Sequence, residues 1–394
     1  MFDIADKKFQ IKERSFSNIV KGKTMGKIKI IAATLALFGA AQAFADSPIW
    51  GTQTVSCPVN SDTYIGIAST RAPVFAGKVQ SVQSGTTNVV AVGEPNWAAN
   101  QFVYSAGVQP NHYYLKFTSG ELEGAWYDIK SNGAYYLQIE IGNAELAKIA
   151  AGDSFEVIPH WTMATLFPDG GGFVKSTKVA APTGATILYK YTGYDSGVVY
   201  PAGTNKAALA SFYYRERGSA VGWRDQDKAD ATDTVIEPNA FFKAVQPETE
   251  VSTVSVCGVV PMCATSFEVF TLTDGDNPQD QDIFVAAPSS VDMTLSELTA
   301  SLVDTGIFTP STSVVSAPVD TLFIYSNAST GKNLSADKTC YYRKRGAVNS
   351  WLDADKANAD SAVIKAGTAI VIRKKAGAET VAYRCKFTPK YISK

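Results

Sequence analysis

One stretch of this sequence occurs twice, and the repeat constrains the fold more than any other feature. The first copy covers residues 213–257 and the second covers residues 341–385, with a constant offset of 128 residues. Both copies contain Tyr-Tyr-Arg, then Trp-x-Asp-x-Asp-Lys-Ala and then Val-Ile, and they align without a gap. A match of this length at a fixed period indicates a duplicated structural unit and no particular chemistry.

The repeated aromatic residues have two interpretations. A ligand site would use the tryptophan ring for stacking and the aspartates that follow it for polar contacts. Packing is the alternative, because buried aromatic side chains contribute strongly to stability and packing survives duplication more readily than a specific pocket does. We therefore interpret four residues as structural: Tyr214, Trp223, Tyr342 and Trp351.

The composition favours a globular protein without a nucleic-acid partner. The chain has 394 residues, enough for two or three domains, and charged residues make up 19% of it with a net charge of −1. No basic stripe is present to neutralise a phosphate backbone. Bulk electrostatics therefore predicts no charged partner.

The N-terminal region has the pattern of a secretory signal. Lys27 and Lys29 precede an apolar run at 30–41, and Ala43-Phe44-Ala45 supplies small residues where a signal peptidase cleaves. We expect removal of residues 1–45, with 1–24 as an extension of the reading frame. The apolar run is shorter than the roughly 20 residues that cross a bilayer. The mature chain is thus expected to carry no transmembrane anchor and to be exported to the periplasm, the cell surface or the extracellular space.

The cysteines predict disulfides, because an exported protein folds in an oxidising compartment. The sequence contains five. A symmetric arrangement would pair Cys57 with Cys257 and Cys263 with Cys385, leaving Cys340 free. The rival pairing joins Cys340 to Cys385, and spacing alone does not choose between the two.

Short alternating apolar segments separated by turn residues predict a mainly β fold. Asn132-Gly133 between two such segments is a strong hairpin signal. We expect a barrel-like or sandwich domain at 46–261, with an inserted hairpin module at 97–168. A smaller β domain at 262–394 would partly repeat the first, and residues 295–302 have the spacing of a short helix.

The first domain resembles an uncharacterised family of exported proteins from verrucomicrobial-type bacteria. The resemblance covers roughly residues 60–250, and it is carried by the motifs Gly77-x-Val79, Trp97-x-x-Asn100-Gln101, Gly152-Asp153-x-Phe155 and Trp161-Thr162-x-Ala164. It implies export and a β-rich fold. The family offers no established activity and no catalytic residues to transfer. The second copy lacks a counterpart of the inserted module, which indicates a trimmed duplicate.

An acidic segment near the start of the second domain is a candidate calcium site. Its carboxylates are Asp274, Asp276, Asp280 and Asp282. Calcium takes six to eight oxygen ligands, and an acidic turn can supply several of them. The segment does not match an EF-hand, since it lacks the final glutamate. The alternative is a solvated acidic turn between strands.

The sequence contains no recognisable catalytic motif. Neither histidine, His112 or His160, adjoins a serine or cysteine nucleophile, and no Gly-x-Ser-x-Gly is present. We predict a non-catalytic exported structural or interaction protein of the cell surface or extracellular matrix, acting by self-assembly and using no cofactor other than calcium. The alternatives are a carbohydrate-binding or adhesion module that binds a surface glycan, and a hydrolase with a carboxylate pair, which spacing cannot reveal.

Overall fold

Strands form nearly all of the regular structure, so the mainly β prediction is confirmed. The computed structural model describes residues 47–178, 182, 184–192, 203–274, 277–312 and 319–392. The predicted signal segment at 1–45 lies outside these residues. The described part of the chain from residue 47 belongs to one compact unit, and the predicted boundary at 261–262 falls between two strands of it.

The described residues form twenty-five strands. In chain order they are β1 Trp50–Cys57, β2 Asp62–Gly66, β3 Phe75–Val82, β4 Asn88–Ala91, β5 Tyr113–Phe117, β6 Trp126–Asn132, β7 Tyr136–Ile139, β8 Ser154–Pro159, β9 Trp161–Thr162, β10 Ile187–Lys190, β11 Ala210–Arg217, β12 Ala220–Asp225, β13 Val235–Ile236, β14 Phe241–Val245, β15 Ser252–Val259, β16 Thr265–Asp274, β17 Asn277–Gln279, β18 Gln281–Ala286, β19 Met293–Thr294, β20 Thr321–Tyr325, β21 Lys338–Arg345, β22 Val348–Asp353, β23 Val363–Ile364, β24 Ala369–Lys374 and β25 Val381–Phe387.

Within the described residues, helical structure is limited to single turns. The α-helical turns are α1 Asn143–Leu146 and α2 Met163–Leu166, and a 3₁₀ turn covers Pro168–Gly170. The predicted helix at 295–302 is a 3₁₀ turn, Leu295–Leu298, followed by a π turn, Thr299–Val303.

A six-stranded closed barrel occupies residues 75–159. Its strands follow the order β3-β4-β7-β6-β5-β8, and β8 pairs with β3 to close it. The Asn132-Gly133 signal marks the β6–β7 hairpin, as expected. The predicted module at 97–168 began too late, because the hairpin at 75–91 belongs to the same barrel. Closure leaves the barrel without an unpaired strand edge. It depends on pairing between β3 and β8, which are more than seventy residues apart in sequence.

Two five-stranded sheets have the same antiparallel order. The first sheet is β12-β11-β10-β14-β2 and the second is β22-β21-β20-β24-β18. Tyr214 lies opposite Trp223 in the first, and Tyr342 lies opposite Trp351 in the second. We call residues 50–66 with 161–259 the first unit and residues 265–387 the second unit. The repeated sequence thus has the same strand register in both units, whereas the duplication event itself stays a prediction.

The repeated tryptophans occupy equivalent places in two separate cores. Trp223 is buried, and its Nε1–H donates to the Phe167 carbonyl over 3.0 Å. Trp351 is also buried, and its Nε1–H donates to Thr299 Oγ1 over 3.0 Å. Each indole therefore buries its ring and satisfies its single donor, as a packed tryptophan must.

The open edge of the first sheet is covered by the second unit. On β2, the Asp62 N–H donates to the Gly331 carbonyl over 2.8 Å, and Asp62 Oδ2 accepts from the Asn333 N–H over 2.9 Å. The Asn327 amide continues the ladder, since it accepts from the Tyr64 N–H and donates to the Tyr64 carbonyl, each over 2.8 Å. The second unit thus satisfies backbone groups that would otherwise form an exposed strand edge.

The open edge of the second sheet is covered in the same way by the first unit. On β18, the Asp282 N–H donates to the Gly203 carbonyl over 3.2 Å, and Asp282 Oδ2 accepts from the Asn205 N–H over 2.7 Å. Arg373 holds the other carboxylate oxygen over 2.7 Å. The two covering segments are related by the same 128-residue offset as the repeat. We call this exchange the reciprocal edge cover.

An aromatic cluster lies between the two sheets beside the covered edges. Tyr64 contacts Tyr325 with ring centroids 4.3 Å apart, and Tyr191 contacts Phe284 at 4.7 Å. Phe241 lies 5.6 Å from both Tyr191 and Phe284. These ring contacts add apolar burial to the hydrogen bonds that join the units.

The predicted disulfides are not formed. Cys57 lies opposite Ser252 on the β1–β15 ribbon, whereas Cys257 lies opposite Thr52 near its other end. Five residues of strand separate the two levels by about 16 Å, well beyond disulfide reach. All five cysteines are free thiols: Cys57, Cys257, Cys263, Cys340 and Cys385.

The reciprocal edge cover predicts that Asp282 is required for stability. Asp282→Ala removes one member of a buried ion pair and a hydrogen-bond acceptor, so we expect the free energy of unfolding in urea to fall by roughly 3 kcal/mol. The matched control is Asp355→Ala on an exposed turn, which should change it by less than about 0.5 kcal/mol. Equal effects of the two substitutions would contradict this role.

Candidate functional site

Three adjoining cavities form a cleft where the barrel meets the two units. The central cavity has a volume of about 220 Å³ and is lined by side chains from all three parts, including Trp126, Tyr191 and Phe284. We call the three together the junction cleft. It brings polar and aromatic groups together, and such clefts at domain junctions commonly bind ligands.

Each outer cavity shares lining residues with the central one. The barrel-side cavity, about 660 Å³, shares Asp128 and Glu237 with it. The sheet-side cavity, about 690 Å³, shares Tyr191, Lys206 and Asp282 with it. The segments of the reciprocal edge cover line the sheet-side cavity. The three cavities are therefore neighbours joined through shared walls.

Strand alternation positions the barrel's contribution to the cleft. On β6, Tyr127 and Ile129 are buried in the barrel core, and Trp126 and Asp128 project from the opposite face. Arg384 on β25 binds Glu145 of α1 over 2.7 Å and so ties the barrel to the second unit beside the cleft. The outward face of β6 and the Arg384–Glu145 ion pair thus form the barrel's side of the cleft.

Both histidines of the chain line the barrel-side cavity. The buried His160 places Nε2 2.7 Å from Asp128 Oδ1. The backbone N–H of His160 donates to the His112 carbonyl over 2.8 Å. His112 stacks on Tyr104 with ring centroids 4.4 Å apart. Burial, and secondarily His160, lower the pKa of His112. Sequence reasoning treated the two histidines as isolated, whereas the fold brings them together.

The carboxylates that line the cleft each have a basic partner. The pairs, with their shortest distances, are Asp128–His160 at 2.7 Å, Glu140–Lys130 at 3.0 Å, Glu145–Arg384 at 2.7 Å, Glu237–Lys190 at 2.5 Å, Glu268–Arg384 at 3.3 Å, Asp282–Arg373 at 2.7 Å and Asp62–Lys243 at 3.7 Å. The cleft is consequently polar, yet its charges neutralise one another locally.

Lys206 is different from these paired groups. Its Nζ is buried and has no hydrogen-bond partner among the described residues, and it lies where the central and sheet-side cavities meet. Burial lowers its pKa to about 8, and the nearby Asp282 only partly offsets this. An ammonium group is disfavoured at such a site because it loses hydration without gaining a partner.

The acidic segment predicted to bind calcium is only partly described. Asp276 lies outside the described residues, as does the side chain of Asp274. Asp280 binds Lys375 over 2.7 Å; burial raises its pKa, but hydrogen bonds from Lys375 and a backbone N–H hold it below the ordinary value. In the described part of the chain, no group of three or more acidic, histidine or cysteine side chains is arranged to hold a metal. Calcium binding stays a prediction.

The aromatic residues of the cleft were not identified from the sequence. Trp126, Tyr191 and Phe284 belong to three separate parts of the chain, and nothing in their local spacing joins them. One local signal was available: Trp126 alternates with core residues on a strand, which places a large ring on the outer face of the barrel.

Comparison of the chain with protein-family models, with curated proteins and with solved structures finds no match. Within the described ranges, no helix has the length and apolar character needed to span a bilayer.

The buried amine of Lys206 predicts a pH-dependent stability. Its pKa in the folded chain, about 8, is lower than the ordinary 10.5, so the unfolded chain binds more protons between these values and stability rises with pH across that window. Lys206→Met should therefore stabilise the protein at pH 7, and the gain should shrink as the pH rises from about 8 to about 10. Urea unfolding at several pH values measures this. The exposed control Lys332→Met should show no such trend, and a pH-independent effect of Lys206→Met would refute the assignment.

Proposed function

We propose that this chain is an exported interaction protein that binds a linear, uncharged glycan along the junction cleft. One observation carries the proposal: aromatic rings from the barrel and both units line one continuous cleft, with polar groups between them. A pyranose ring has an apolar face of C–H groups that packs on an aromatic ring, while its hydroxyls need polar partners at the rim.

The three adjoining cavities support a chain rather than a compact ligand. Each contains an aromatic group: Tyr104 in the barrel-side cavity, Trp126 in the central cavity and Tyr325 in the sheet-side cavity. A linear oligosaccharide presents successive rings at regular intervals and can contact all three cavities together. A small cofactor would occupy only one of them.

The charge distribution supports an uncharged ligand. The cleft carboxylates already have basic partners, so a cationic polymer would have to displace existing ion pairs. A polyanion would meet the amine of Lys206, which has no partner among the described residues and whose pKa burial lowers. Neutral hydroxyl groups can add hydrogen bonds to these pairs without breaking them. We therefore expect the cleft to bind neutral glycans in preference to uronic-acid polymers.

The same ion pairs support binding without cleavage. Glycoside hydrolysis requires one carboxyl group that holds a proton and a second that is ionised. A neighbouring cation favours the ionised form of a carboxyl group, and each carboxylate lining the cleft has such a neighbour or a histidine. Export belongs to the proposal and is supported by the signal-like pattern of residues 27–45.

Calorimetric titration with neutral hexasaccharides tests this function. Cello-, xylo- and mannohexaose serve as probes, and an oligogalacturonate serves as the charged comparison. We expect one neutral probe to bind and Trp126→Ala to weaken its binding by about tenfold or more, corresponding to about 1.4 kcal/mol.

The matched control for this substitution is Trp50→Ala. Trp50 is 57% exposed and lines none of the three cavities, so its removal should leave the affinity unchanged. Circular dichroism of both variants checks that they are folded. Equal affinities for the two variants, or the absence of binding by any neutral probe, would overturn the proposal.

A further inference from the structure

Two polar atoms of residues that line the barrel-side cavity have no hydrogen-bond partner among the described residues. They are His160 Nδ1 and Glu237 Oε1, each buried from solvent. The residues that carry them are 3% and 7% exposed, and both line this cavity. A buried polar atom without a partner is destabilising, so such atoms usually mark the place of a ligand or an ordered water.

The existing contacts of the two side chains define what each free atom can do. Asp128 accepts a hydrogen bond from His160 Nε2, which places a proton on Nε2, so that in the neutral ring Nδ1 carries a lone pair. Lys190 binds Glu237 Oε2 over 2.5 Å and leaves Oε1 as an acceptor. The ligand must therefore donate hydrogen bonds at two positions.

The surrounding charges narrow the ligand to a neutral donor. Lys130 and Lys190 also line the cavity and disfavour a second cation. Asp128 and Glu237 disfavour an anion. A hydroxyl group donates a hydrogen bond without carrying charge, and a sugar unit has several of them.

We propose that the barrel-side cavity is a subsite for one neutral sugar unit, with one hydroxyl donating to His160 Nδ1 and another to Glu237 Oε1. The stacked Tyr104–His112 pair lines the same cavity and offers a ring surface for the apolar face of the sugar. This subsite rests on the proposed glycan binding, and it makes His160 and Glu237 the residues that select unsubstituted hydroxyls.

Nitrogen-15 NMR of the imidazole rings tests the first contact on the unaltered chain. The protein has only two histidines, so the spectrum is simple, and His112→Gln identifies the remaining resonances as those of His160. We expect Nδ1 to be unprotonated in the free protein and to shift upfield when the tightest-binding neutral hexasaccharide saturates the cleft, because it then accepts a hydrogen bond. An Nδ1 resonance that stays in place at saturation overturns the subsite.

Glu237→Gln tests the second contact by calorimetry with the same hexasaccharide. The amide keeps the size of the side chain but no longer offers a carboxylate acceptor to the sugar, and we expect a loss of affinity of about tenfold. The matched control is Glu121→Gln, which alters a carboxylate paired with Lys148 that lines none of the three cavities. A folded Glu237→Gln variant with unchanged affinity overturns the second contact.

The outcomes separate the subsite from the proposed function. Failure of the wild-type protein to bind any neutral hexasaccharide defeats both. Binding that depends on Trp126 but moves neither the His160 resonance nor the affinity of Glu237→Gln defeats the subsite alone. Tighter binding of the oligogalacturonate than of the neutral probes also defeats the subsite, because the acceptor atoms His160 Nδ1 and Glu237 Oε1 would then face an anion.

Discussion

The unpaired edge of a β-sheet is the constraint on which the structure depends. Each of the two sheets ends in a strand, β2 or β18, whose backbone groups need partners, and each obtains them from the other unit. Because the exchange is reciprocal, it fixes the two sheets against each other. It also places Tyr64, Tyr191 and Phe284 side by side and makes the covering segments a wall of the sheet-side cavity. The cleft is thus a consequence of how the edges are covered.

The chemistry of the cleft follows from the same assembly. Its carboxylates are paired: most pairs lie within one part of the fold, Arg384 links barrel and second unit, and Asp282 belongs to the edge cover. These roles hold the charges in local pairs and leave aromatic rings and a few polar atoms facing the open space. Such a surface suits a ligand that is polar but uncharged. The barrel contributes His160 and Asp128 to the wall of the barrel-side cavity.

Local patterns predicted the parts that depend on neighbours in sequence. Alternation and the Asn132-Gly133 turn predicted strands and a hairpin, and the 128-residue offset predicted two equivalent sets of paired strands. The pairing of β3 with β8 was missed because the two strands are distant in sequence. The edge cover was missed because nothing local joins Gly203 and Asn205 to β18, although both have counterparts 128 residues later, Gly331 and Asn333. Disulfides were expected from the compartment, whereas the register of β1 and β15 places Cys57 and Cys257 far apart. His160 and Asp128 are 32 residues apart, and only the barrel joins them.

The most direct test of the account is a crystal structure of the protein grown with a neutral oligosaccharide that it binds. The account predicts electron density for successive sugar rings along the junction cleft, with one ring against Trp126 and another against Tyr191. Saccharide bound on another surface, such as the outer face of β11 around Arg215 and Arg217, with the cleft free of sugar, would contradict it.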